Sequence, residues 1–280
     1  MTSGDLVKDR KLEHIDIVRK FDVEGPLTTW LEYVYLVHQA NPGMDLDDVK
    51  LEVEIFGKRL GAPIVISGMT GGCKQVQHIN AALAEVANKF RLGIGVGSQR
   101  AMIEDPSVTD TYTIVRYKAP NALVIANIGA SQLARRDLSI DDVIRIVEVL
   151  EADALAIHLN PAQEVIQPEG EPNFKNVLKE VSEIVNSLDI PVIIKEVGCG
   201  LSMEVVKSFK EVGVKGFDVA GAGGTNWILI ERYRAQLHKI LDKFEIATTF
   251  LKWGIPTASS IIEARYIATE AIVIGSGGLR

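Results

Sequence analysis

The chain has 280 residues, 47% of them hydrophobic, enough apolar material for a sizeable core and enough to exclude global disorder. Its 30 basic and 37 acidic residues leave a formal charge of -7, which argues against sequence-independent nucleic-acid binding and requires any anionic ligand to be caught by local groups. Cys73 and Cys199 make neither a disulfide framework nor a zinc site; with no signal peptide and no apolar run long enough to span a bilayer, the expectation is a cytoplasmic protein without a membrane partner.

Residues 1–61 are mixed and charged and read as an N-terminal layer or lid of the same domain, without a core of their own. In them Arg10, Lys11 and His14 (RKLEH) form a basic group that matters only if this segment folds over a site. From residue 62 onward, short apolar runs alternate with segments of helical period. Strands are predicted over 63–67 (PIVIS), 94–97 (IGVG), 123–127 (LVIAN), 154–159 (ALAIHL), 191–196 (PVIIKE), 216–220 (GFDVA) and 271–275 (AIVIG). Helical spacing recurs in 78–90, 139–151, 176–188 and 202–213, with Ser139 and Ser202 as N-caps.

Nearly every strand ends in polar or glycine-rich sequence: SGMTGG, GVGSQR, ANIG, HLNPAQE, KEVG, AGAGGTNW and GSGGLR. Ligand residues spread over so many strand ends predict an α/β protein with a (β/α)8 TIM barrel, whose site lies at the carboxyl face; a doubly wound sheet would gather them at one switch point. Only seven strand-helix units are evident over 62–280. The chain ends at Arg280, just after the seventh strand, so the barrel is expected to be incomplete at its C-terminus or closed by a partner chain.

The chemistry sits at those strand ends. Glycine clusters let backbone amides approach an anion, and several on one rim suggest a phosphorylated cofactor across the mouth. Lys195, at the end of PVII, either stabilises negative charge there or forms a structural ion pair with Glu196 or a neighbouring carboxylate. In HLNPAQE, Glu164 is the one carboxylate, followed by Glu169 and Glu171; a hard cation such as magnesium needs only one or two. His158, Asn160 and Gln163 add hydrogen-bonding groups for a polar ligand.

In this order, with RKxEH near the start, these motifs make the sequence resemble type 2 isopentenyl-diphosphate delta-isomerase from about Arg10 to Arg280, HLNPAQE and GGTNW being the most specific in combination. The resemblance implies a flavin-dependent (β/α)8 barrel that interconverts isopentenyl and dimethylallyl diphosphate in isoprenoid biosynthesis. It would use reduced FMN, magnesium and NADPH as reductant, as a homo-oligomer, tetramer or octamer. It further implies that Gly68, Met69, Thr70, Ser98, Asn127, Lys195, Thr225, Gly277 and Gly278 hold FMN. Arg10, Lys11, Ser98, Arg100, His158, Asn160 and Gln163 would face the diphosphate, Glu164 would coordinate magnesium, and Gln163, His158, Asn160 and Lys195 would carry the catalytic roles. The alternatives are an FMN barrel of the 2-hydroxy-acid oxidase type, which uses a histidine near strand seven where this chain has none after His238, and a non-catalytic FMN-binding fragment.

Overall fold

The computed structural model describes residues 3–279, with side chains described from Arg10 onward. Two short strands, β1 (Val53–Ile55) and β2 (Lys58–Leu60), form an antiparallel hairpin. The remaining strands are β3 (Val65–Ile66), β4 (Gly93–Gly95), β5 (Leu123–Gly129), β6 (Ala154–His158), β7 (Val192–Lys195), β8 (Gly216–Asp218) and β9 (Ile272–Ile274). They pair in parallel and in chain order, giving a nearly closed seven-stranded barrel wrapped by helices. All seven strands expected from the sequence are present. Most are shorter than the apolar runs that announce them, and β5 alone runs two residues further, to Gly129.

Period-two alternation sets what each strand presents. Leu123 and Ile125 of β5, Ala154 and Ala156 of β6 and Ile193 of β7 fill the barrel interior, whereas Val124, Ala126, Leu155, Ile157 and Ile194 face the surrounding helices. Continued by two residues towards the carboxyl face, the inward set becomes Asn127, His158 and Lys195. Register then places His158 beside Lys195 and Lys195 beside Asp218. The polarity of the strand ends is thus the same inward stripe, carried past the point where the apolar core stops.

The helices follow from local signals where those are strong. Ser139 accepts from the Asp142 amide at 3.1 Å and Asp142 returns the bond in a capping box, so Ile140–Leu150 starts where the sequence predicts. Ser202 caps Met203–Glu211 by accepting from the Val205 amide at 3.4 Å, without a returned bond. Helices at Ser3–Lys20, Asp110–Lys118, Trp227–Leu237, Leu241–Thr249 and Thr257–Ile267 are additional to the sequence expectation.

The N-terminal 61 residues do two jobs at opposite ends of the barrel. Helix Ser3–Lys20 seats Ile17 against Ile230, beside Trp227 and Tyr233 of Trp227–Leu237, on the carboxyl side. The β1–β2 hairpin packs Leu60, Val53, Ile55 and Phe56 against the interior residues of β5, β6 and β7 and plugs the other end. No helix among the described residues is long and apolar enough to cross a membrane.

Candidate active site

Two adjoining cavities occupy the carboxyl face. The inner one, about 330 Å³ counting the space open to solvent, is lined by Gly68, Asn127, Lys195 and Asp218 above the apolar residues of the barrel interior. The outer one, about 700 Å³, is lined by Arg10, Lys11, His14, Met69, Ser98, Arg100, Gln132, His158, Asn160, Gln163, Glu164 and Trp227, with the acidic loop behind them. Every residue that the sequence assigns to substrate or metal is in this outer set. Of those assigned to the cofactor, Gly68, Asn127 and Lys195 line the inner cavity, and Met69 and Ser98 the outer. Thr70, Thr225, Gly277 and Gly278 line neither.

Each outlier has a local engagement. The Thr70 hydroxyl donates to Asn80 Oδ1 and its carbonyl accepts from the Gly97 amide at 2.7 Å. Thr225 is exposed and bridges to Glu24. Gly277 and Gly278 lie against Gly221 and Gly223, so closely that a Cβ on Gly277 would stand 2.1 Å from the Gly221 carbonyl oxygen. Both adopt positive φ, 99° and 75°. The amides of Gly223, Gly224, Gly277 and Gly278 donate to no acceptor among the described residues. Unpaired N–H groups on two touching glycine-rich loops suit an anion.

At the boundary between the cavities, His158 Nδ1 meets Asn127 Oδ1 at 2.9 Å, while Asn127 Nδ2 donates to the Val96 carbonyl at 3.0 Å. That second bond orients the amide so that its oxygen faces the ring Nδ1, and the Nε2 edge lies towards the Gly129 backbone. Burial, with the charges of Lys195 and Arg10, pulls the imidazole pKa from 6.5 down to about 3. Lys195 donates to the Glu196 carbonyl at 2.6 Å and lies 3.8 Å from Asp218 Oδ2. Its carboxylate partner is therefore Asp218. The Glu196 side chain turns the other way, accepting from the amides of Val197, Gly198 and Cys199 at 2.7, 2.8 and 2.6 Å.

HLNPAQE opens into a short helix, Pro161–Ile166, started by a proline whose fixed φ suits the first helical position. Asn160 Nδ2 donates to Glu164 Oε1 at 2.9 Å and to Gln163 Oε1 at 3.2 Å, and the Glu171 amide donates to Glu164 Oε2 at 2.7 Å. Asn160 Oδ1 is buried without a partner. An orphaned amide oxygen beside a buried carboxylate is an all-oxygen donor set, which fits a hard cation that keeps most of its waters. No group of three or more His, Cys, Asp or Glu among the described residues forms a metal cage, so the other ligands would come from water and substrate.

The cationic wall is contributed by two segments, the N-terminal helix and the loop after β4. Lys11 Nζ donates to the Gly71 carbonyl and, at 3.3 Å, to the Tyr112 hydroxyl; burial and neighbouring Arg10 lower its pKa to about 8. Arg100 pairs with Glu104 at 3.1 Å and with Glu171 at 3.6 Å, and Arg10 with Glu169 at 3.5 Å. His14 Nε2 meets Glu231 Oε1 at 3.0 Å and stands edge-on to Trp227, with ring centroids 5.0 Å apart.

Sequence reasoning missed Asp218, Trp227, Gln132, Glu13, Glu231 and Arg234. Asp218 was within reach of it, two residues on from inward-facing Gly216. Glu231 and Arg234 stand three apart in WILIERYRAQL, where charges on an amphipathic helix read as a solvated face.

Fold and site together define a (β/α)-barrel enzyme whose mouth is lined by Arg10, Lys11 and Arg100. Curated isopentenyl-diphosphate delta-isomerases match this sequence nearly end to end. The one from Ignicoccus hospitalis is 47% identical over 272 residues, 97% of this chain and 75% of that protein. That from Sulfurisphaera tokodaii is 49% identical over 275 residues, covering 98% and 74%, and that from Aeropyrum pernix 48% over 271 residues, covering 97% and 72%. No protein-family model matches the chain. At these identities the chain belongs to the isopentenyl-diphosphate delta-isomerase family.

Proposed function

We propose that this chain interconverts isopentenyl and dimethylallyl diphosphate with reduced FMN, magnesium and an NADPH-type reductant, serving isoprenoid biosynthesis, and that it works as a homo-oligomer in the cytoplasm. The observation that carries the reading is the 47–49% identity to isomerases over almost the whole chain. Moving a proton between two carbons of an unactivated alkene needs a strong acid and a matching base, and no side-chain pair at the mouth offers both. Reduced FMN, when bound, supplies that acid-base chemistry at its ring.

The residues present fit such a group. The unpaired amides of Gly223, Gly224, Gly277 and Gly278 would take its phosphate, while Asn127 and Lys195 would hold the ring side, the ammonium favouring negative charge there. Arg10, Lys11, Arg100, His158 and Asn160 would bind the diphosphate. Glu164 and the free Asn160 oxygen would hold magnesium against it. Gln163 would reach towards the reacting carbons, and Trp227 would exclude water beside them.

The test is an anaerobic assay with isopentenyl diphosphate, magnesium and FMN, with and without prior reduction by dithionite or NADPH. Product is expected only with reduced flavin, together with a flavin absorbance that co-purifies with the protein. Isomerisation that is equally fast in flavin-free protein overturns the cofactor assignment; no product under any of these conditions overturns the activity.

A further inference from the structure

Helix Trp227–Leu237 carries two fully buried charges, Glu231 and Arg234, one turn apart. Arg234 Nε donates to Glu13 Oε2 at 2.9 Å, and Nη1 donates to Glu169 at 3.0 and 3.1 Å and to Glu231 Oε2 at 2.9 Å. Three separate segments meet on this one guanidinium. Glu13 lies between Arg10 and His14 on the N-terminal helix, and its second oxygen meets His238 Nε2 at 2.9 Å. Glu169 belongs to the loop after β6 and also holds Arg10. The second oxygen of Glu231 receives His14 at 3.0 Å and Gln163 at 3.1 Å.

Arg234 itself does not line the mouth cavity. Its hydrogen-bond partners are all carboxylates, and one of them, Glu169, lines that cavity. Stability alone is a weak reason for such a hub, because a buried ion cluster is often no more stable than well-packed apolar side chains of similar volume. Its geometric consequence is larger. Without the guanidinium, the fully buried Glu231 and the half-buried Glu13 and Glu169 would repel one another, and Glu13 and Glu169, nearer to solvent, would move out, taking Arg10 and His14 with them.

We propose that Arg234 is a positioning residue: by holding Glu13, Glu169 and Glu231 together it sets where Arg10, His14 and Gln163 stand at the mouth. The inference rests on the reading of that mouth as a diphosphate site. It concerns which element carries the binding groups, and it adds a residue that never touches the ligand.

The experiment uses the full chain as wild type, Arg234→Met, Arg234→Lys, Glu13→Gln and the double variant Arg234→Met with Glu13→Gln. Each is titrated with inorganic pyrophosphate by calorimetry, melted, and examined by hydrogen exchange over helix 3–20. Arg234→Met is expected to weaken pyrophosphate roughly tenfold to a hundredfold and to speed exchange in that helix, while amides of β5 and β6 keep their protection. Arg234→Lys retains the charge without the fork and falls between. The double variant recovers part of the loss, since one repelling charge is gone, a rescue that a purely structural lesion would not give. Pyrophosphate affinity and helix exchange within about twofold of wild type in folded Arg234→Met overturn the proposal, as does a double variant no better than the single. Should Arg234→Met not fold, Arg234→Lys and Glu13→Gln decide: at least a threefold weakening at unchanged melting temperature supports the role, and its absence overturns it. A wild type that binds pyrophosphate but does not isomerise sinks the functional reading and leaves this inference to the variants. If wild type binds no pyrophosphate, the diphosphate reading of the mouth fails, and exchange in helix 3–20 still decides whether Arg234 positions it.

Discussion

Replacing His158 by glutamine is expected to flatten the acid limb of the stability profile. The imidazole pKa lies at about 3 in the folded protein against an ordinary value of 6.5, because the ring is desolvated and faces Lys195 and Arg10. Between those values the unfolded chain binds a proton that the folded protein refuses, so stability rises with pH through this window and is lost as pH falls below 6.5. Near pH 5 the unfolded imidazole is protonated by about 1.5 units, which at 1.36 kcal/mol per unit is a loss of about 2 kcal/mol relative to pH 7.5. Buried Glu196 works in the opposite sense, its pKa raised by desolvation, and is common to both proteins, so subtracting the variant from wild type isolates His158. Urea unfolding at the two pH values, fitted for wild type and His158→Gln, gives the difference directly. If both proteins lose the same stability to within about 0.5 kcal/mol, the ring is already solvated or charged in the folded state and the account of the boundary between the cavities is wrong.

Lys11 predicts a pH effect on binding: pyrophosphate favours the ammonium form, the free protein loses that proton above about 8, and affinity should fall by up to about tenfold per unit beyond it. Lys11→Arg should remove the dependence, and an unchanged slope in that variant would reassign it. Glu164→Gln should weaken the magnesium dependence of substrate binding and leave the flavin spectrum intact; unchanged dependence would make Glu164 a partner of Asn160 and Glu171 only. Gln163→Ala should lower turnover roughly tenfold to a hundredfold with little change in KM, because a group near the alkene matters most as charge develops; a pure KM effect would move it to the diphosphate end. Leu60→Ala, at the hairpin plug, should destabilise by about 2–5 kcal/mol without altering pyrophosphate affinity, since it sits at the opposite end of the barrel. A matching loss of affinity would mean that the two ends are coupled.

What the sequence determined by itself is whatever depends on near neighbours along the chain. Alternation in LVIAN and ALAIH decides which side chains enter the barrel, and the same alternation brings Asn127, His158 and Lys195 to its mouth. Ser139 with Asp142 starts a helix through bonds three residues apart. The short stretch HLNPAQE holds Asn160, Gln163 and Glu164 on adjoining turns of one helix start, so their mutual contact needed no tertiary information. What only the tertiary structure decided is whatever depends on burial by distant segments. The split of residues 1–61 between a mouth helix and a hairpin plug follows from packing against Ile230 and against the interior of β5 to β7, neither of which leaves a mark in the local pattern. Gly277 and Gly278 read as a ligand cradle, yet their close packing on Gly221 and Gly223 is visible only when the two loops meet. Glu231 and Arg234 drew no expectation from the sequence and are fully buried, because Glu13, more than two hundred residues earlier, arrives to pair with Arg234. A charge carries no label of its surroundings. Its cost in isolation depends on the dielectric that other segments create, and the same segments bring the counter-charge that makes burial tolerable.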